Sequence, residues 1–236
     1  ATAGSVAIGN QAGAVHSGST GSTTLTYDKA ANKSTTTTTP TTATTPPGSS
    51  SNSIAVGTNT SANGSNSIAM GTNAKIRAIN GTVVFTEDAT NIVRTTTLNE
   101  TPTTNSVAIG NNSSVNGTGS IALGNGATVD GNKVITFQTT ANGLFTASTS
   151  ESAVNSVAIG NSARSMGNNN VVIGAGAQTT GDFYYSPYGV VWQDMNSTVI
   201  GANAVVNRGM GTAVGYSAFV NGRSGAAVGY AATAVG

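Results

Sequence analysis

Side chains able to carry chemistry are few in this chain, and they are scattered. There are eight carboxylates (Asp28, Glu87, Asp88, Glu100, Asp130, Glu151, Asp182 and Asp194), one histidine (His16) and no cysteine. Hydrolysis or elimination on a polysaccharide needs a pair of carboxylates facing one bond, and a calcium-binding β-roll needs an aspartate recurring at one position of its repeat. The acids here recur at no such position. His16 has no second histidine, cysteine or adjacent carboxylate, so it supports neither a metal site nor a catalytic triad. Pieces such as Gly117-Thr118-Gly119 lack the following helix that would cradle a phosphate. The sequence therefore predicts no catalytic centre, no metal and no cofactor.

Only 7% of the residues are charged and the net charge is +1, against about a quarter charged in an average globular protein. With no basic stripe, nucleic acid is excluded as a partner, as is an anionic bilayer surface. No apolar run of transmembrane length occurs. Residues Ala1 to Gly4 do not read as a signal peptide, so an exported protein would have a leader outside this segment. A chain so poor in charge must satisfy its backbone in a very regular way.

The source of that regularity is a pentapeptide repeat. It occurs as Ser5-Val6-Ala7-Ile8-Gly9 and again at Ser53 to Gly57, Ser67 to Gly71, Ser106 to Gly110, Ser120 to Gly124 and Ser156 to Gly160. Looser copies close on Gly174, Gly201, Gly215 and Gly229, and the closing glycines fall 14 residues apart wherever no insertion intervenes. Large, small and large apolar residues alternate, which is the period of a strand. Fourteen residues hold two short strands and two turns, and stacking such coils at about 4.8 Å builds a parallel β-roll. Its core must be thin. Before Gly201 no aromatic falls within a repeat core.

The motif Asn-Ser-Val-Ala-Ile-Gly, at Asn105 to Gly110 and Asn155 to Gly160, resembles the YadA-like head of trimeric autotransporter adhesins. The resemblance implies an all-β fold, a left-handed parallel β-roll (solenoid) of 14-residue repeats, trimeric, with β-hairpin and loop insertions. It also implies adhesion at the bacterial surface through a stalk and an outer-membrane anchor, neither of which is in this chain. Partners would be two further copies of the chain and a host matrix protein such as collagen or fibronectin, a cell-surface receptor, another bacterium or an abiotic surface. Ala55, Ala69, Ala108, Ala122 and Ala158, the small residues of the core strands, are expected at the contact between chains.

Four insertions interrupt the roll, which otherwise fills residues 1–236 as one domain. Residues 17–52, with nine threonines between Thr35 and Thr45 plus Pro40, Pro46 and Pro47, read as an extended or mobile loop. Residues 78–104 and 132–154 read as β-hairpins, the second around Asn142-Gly143. Residues 181–196 hold Phe183, Tyr184, Tyr185, Tyr188 and Trp192, five of twelve aromatics in the chain. These five are the candidate ligand-binding residues, since they combine apolar area with hydrogen-bonding tips. The alternatives are an ice-binding or a polysaccharide-acting β-solenoid. Against the first, the threonines crowd into one insertion and avoid a fixed coil position.

Overall fold

The computed structural model describes residues 4–14, 19–28, 30–43, 52–87, 91–101, 103–131, 134–139, 145–150, 153–180 and 196–236. Every regular element among them is a β-strand. Ten coils stack in chain order, each giving one strand to each of two parallel sheets. The chain is a parallel β-roll.

The first sheet is formed by the pentapeptide strands, from Val6–Ile8 and Ile54–Val56 through Val107–Ile109 and Val157–Ile159 to Ala226–Val228. Its register sets small residue on small residue: Ala55 pairs with Ala69, Ala69 with Ala108, Ala108 with Ala122 and Ala122 with Ala158. Insertions do not disturb it. Ala69 and Ala108 pair although a hairpin lies between them in the sequence: the roll strand Lys75–Glu87 runs straight on into that hairpin, and the chain re-enters the coil at Thr103–Thr104 beside Gly64–Ser65.

Those five alanines are fully buried within a single chain. They cannot form the contact between chains expected of them. Two strands of a 14-residue coil lie back to back, and the enclosed cluster takes only alanine together with side chains of the size of Ile76, Val115, Val129, Val206 and Val220. The middle residue of the pentapeptide, alanine in most copies and valine at Val172 and Val199, therefore points in, and the residues on either side of it point out.

Turns consume most of the remaining polar residues. Asn52, Asn66 and Asn105 sit at φ near +55°, where asparagine is among the few tolerated side chains. Their amides form a ladder, Asn52 Nδ2 donating to Asn66 Oδ1 at 3.3 Å and Asn66 Nδ2 to Asn105 Oδ1 at 3.4 Å. At the second turn Asn59 donates to Asn73 (2.7 Å) and Asn73 to Asn112 (3.0 Å). A buried column of serines closes the other side: Ser106 Oγ donates to Gly117 O at 2.8 Å, and Ser120 Oγ accepts from the Ser156 backbone N–H at 3.2 Å. The Asn-Ser motif is accounted for by the fold.

Three insertions join into one lateral sheet. Its six strands run Val134–Thr139, Phe145–Ser150, Lys75–Glu87, Asn91–Thr101, Ser19–Asp28 and Lys33–Ala43, all antiparallel. The two expected hairpins are present, while Asn142-Gly143 lies outside the described residues. The first insertion departs from the loop expected of it: Ser19–Asp28 and Lys33–Ala43 pair as strands. Threonine is β-branched and favours the pleat. Pro40 is accommodated because Lys33–Ala43 is an edge strand and the proline falls where its pairing shifts register, between Thr39 paired with Ser22 and Thr42 paired with Thr20. Asp28 Oδ1 closes the turn by accepting from the backbone N–H groups of Ala30 and Ala31, each at 2.9 Å.

Candidate functional site

The outer face of the first sheet is the most extended apolar surface among the described residues. The pentapeptides point the residues on either side of their inward middle residue outward, and parallel in-register pairing lines these up into two columns, mostly aliphatic in the one that follows the middle residue. In the column following the middle residue, Ile8, Met70, Ile109, Ile173, Ile200 and Val228 are exposed, with 37–39% exposure for the four in mid-roll. Val6 and Val171 are exposed in the other column. A two-strand coil has no interior left to take them. Ten strands at about 4.8 Å make a flat apolar face about 45 Å tall.

Tyr216 and Tyr230 stand beside that face, each just after a closing glycine. Their rings stack at a centroid distance of 5.4 Å with planes 10° apart, and both are exposed. Sequence reasoning passed over them, although their 14-residue separation at one coil position was a visible signal. Val228 ends the apolar column of this face at 70% exposure.

Asp130 Oδ2 meets Arg164 Nε at 3.2 Å on the outside of the second sheet, a solvent-exposed pair of little energetic weight. Among the described residues no three of His, Cys, Asp or Glu come close enough to hold a metal ion. His16 lies outside the described residues. So do Phe183, Tyr184, Tyr185, Tyr188 and Trp192, and the structure does not locate these ligand-binding candidates.

One buried layer is chemically odd. Ser165 occupies the core position filled by Val129 in the neighbouring coil, and its hydroxyl has no hydrogen-bond partner. In the next coil Thr179 Oγ1 accepts from the Met166 N–H at 2.7 Å and donates to the Met166 carbonyl at 3.2 Å. Asn170 there replaces the column serine, donating to the Met166 carbonyl at 2.7 Å and accepting from the Ser197 N–H at 2.9 Å. The layer is polar where its neighbours are aliphatic. It is closed within the roll and reaches no open cleft, so it bears on stability and supports no chemistry.

Residues 49–74 and 104–127 match the YadA head domain repeat, in two copies. These stretches cover two pairs of coils that abut in the first sheet. No curated protein matches the chain significantly.

Proposed function

We propose that this chain is the head of a trimeric autotransporter adhesin, displayed on a bacterial surface and anchored in the outer membrane through a region outside it. Three copies bury the outer face of the first sheet against one another. The observation that carries this reading is the continuous apolar face running past Met70, Ile109, Ile173 and Ile200, exposed in the single chain. Isolated exposed apolar side chains are ordinary, whereas a contiguous patch of this extent marks an interface. The YadA head repeats point to the same assembly and to adhesion as its purpose.

Adhesion is weak per contact and strong in number, since three sites per trimer and many trimers per cell multiply the effective concentration. The ligand is a matrix protein such as collagen or fibronectin, a cell-surface receptor, another bacterium or an abiotic surface. Phe183, Tyr184, Tyr185, Tyr188 and Trp192 remain the residues proposed to bind it, because the roll commits its own aliphatic and turn residues elsewhere. An array of matrix proteins, glycans and inert surfaces probed with the purified head tests the reading. Saturable retention on at least one class is expected, and retention on none contradicts it.

A second reading has one observation in its favour. Register sets Thr37, Thr24 and Thr95 in one row of the lateral sheet and Thr39, Ser22, Thr97 and Thr82 two residues along. Such ranks, about 4.8 Å apart across strands and about 7 Å along them, are the kind of array that orders water. Thermal hysteresis of the purified protein decides it, with none expected for an adhesin.

A further inference from the structure

Two turns flank the first sheet, one before each pentapeptide strand and one after it. In the last two coils both turns change character together. After the strand, the position held by Asn111, Asn125 and Asn161 in mid-roll carries Tyr216 and Tyr230, stacked on each other and 51% and 80% exposed. Before the strand, the same two coils carry Arg208 with Met210, and Arg223, all three exposed. In no earlier coil does this turn hold an arginine.

Met210 is an unusual choice for its place. It has φ 63°, in the left-handed position that Asn66, Asn105, Asn155 and Asn196 occupy in other coils. Asparagine tolerates that conformation and methionine does not favour it, so the backbone gains nothing from the change. What the turn gains is an exposed thioether, a group that packs well against aromatic rings. Beside these turns the outward column ahead of the middle residue also shrinks, from Val171 to Thr198, Thr212 and Ala226. The smaller side chains leave room for a ring at this edge of the face.

We infer that in the last two coils the tyrosine edge of one chain docks on the arginine edge of a second copy, with Tyr216 and Tyr230 against Arg208, Met210 and Arg223. The inference rests on the trimeric reading given above and deepens it. Three flat faces set around one axis form a triangular prism. At each corner the edge that follows the strands in one copy meets the edge that precedes them in the next, a heterologous contact that closes after three copies. Rotation about the axis preserves height, so each tyrosine meets the turn of its own coil level in the neighbour.

The chemistry of the two edges is complementary. Residues 197–236 contain no Asp or Glu, so this stretch offers its arginines no carboxylate, in the same copy or in the next. It offers ring faces instead. The tyrosine stack uses one face of each ring; the other face of Tyr216 lies on the side of Ala202, the small residue at that coil position one coil earlier, and the other face of Tyr230 lies beyond the stack. Arg208 and Arg223 already interact within their own chain. That is compatible with docking, because a planar guanidinium keeps in-plane hydrogen bonds while its face lies on a ring.

The chain has no cysteine, so a pair of substitutions maps the corner. Tyr230→Cys with Arg223→Cys puts two thiols at opposite edges of the face, roughly 20 Å apart along the extended chain. A short bis-maleimide cannot span that distance within one copy. In the assembled protein it should link neighbours and shift the chain to a covalent trimer on a denaturing gel, while either single variant stays as single chains. Linkage by Tyr230→Cys alone would put like edges together and overturns the inference. Tyr216→Cys with Met210→Cys repeats the comparison one coil earlier, should the first pair fail to fold. Arg223→Ala and Tyr230→Ala should each weaken the trimer, and the double variant should lose less than the two losses added, since both remove one contact. Full additivity overturns the stacking. Light scattering on the parent protein separates the two readings: a trimer that yields no linked product removes this inference alone, and a monomeric parent removes the trimeric reading with it.

Discussion

A Cβ built on Gly110 would stand 2.2 Å from the carbonyl oxygen of Gly124, in the next coil of the stack. Gly110 also holds φ at +137°, a backbone conformation L side chains rarely adopt. Glycine closes the repeat because the coils approach too closely for anything larger. Gly110→Ala should therefore destabilise the roll by several kcal/mol (about 3 or more), combining backbone strain with displacement of a neighbouring coil. Gly229 has a similar φ of +128°, yet its nearest obstacle is the Ala232 Cβ at 3.9 Å. Gly229→Ala should cost only the strain, about 1–2 kcal/mol. Chemical denaturation of the two variants measures the difference, and equal losses would show that stacking distance plays no part.

The unpartnered hydroxyl of Ser165 should make Ser165→Val stabilising. The change removes a buried group without a hydrogen bond and restores the aliphatic column of Val129, for a gain of about 1 kcal/mol. Ser106→Ala is the matched contrast, because it deletes the bond to the Gly117 carbonyl and should cost about 1 kcal/mol or more. Melting temperatures should move in opposite directions. A fall for Ser165→Val means that neighbouring atoms already fill the space.

Much of the fold was legible in the sequence because the repeat couples three requirements in five residues: a buried serine, an inward alanine and a glycine at the turn. The 14-residue spacing gave the coil, and period-2 alternation gave its strands. What it could not give was the sign of that alternation. In Val107-Ala108-Ile109 either the alanine or its neighbours could have faced inward, and the thinness of a two-strand core decides for the alanine. The strands of the first insertion were hidden by Pro40, which reads as a breaker until an edge position is known. Pairing among three insertions was likewise unreadable, since it depends on which turns the coils bring side by side. Tyr216 and Tyr230 could have been found from their spacing.

The stacked pair Tyr216 and Tyr230 should show direct coupling. A double-mutant cycle with Tyr216→Ala and Tyr230→Ala is expected to return an interaction of about 0.5–1.5 kcal/mol beyond the separate losses of area. Strict additivity would mean that the rings touch without stabilising each other.

Replacing residues 182–196 by a short Gly/Ser link should leave melting and assembly nearly unchanged and reduce adhesion several-fold. The coils on either side, ending at Thr179 and resuming at Thr198, are already joined by the pairing of Val171–Ile173 with Thr198–Ile200. Undiminished binding by the deletion variant would move the ligand site to the lateral sheet or the roll surface.

Burial separates the roles of adjacent residues in one pentapeptide. Ala108→Glu forces a charge into the closed interior and should prevent folding, with loss of the β-sheet circular dichroism signal. Ile109→Glu places the same charge on the outer face. A chain carrying it should keep its strands and lose its assembly. A folded, fully associated Ile109→Glu variant would place the contact between chains elsewhere.

The mass of the parent protein in solution tests the central claim most directly. Light scattering at micromolar concentration should give about 69 kDa, three times the 23.1 kDa of one chain, because a monomer would leave the whole Met70, Ile109, Ile173 and Ile200 face in water. A stable, folded species of 23.1 kDa at that concentration would contradict the account.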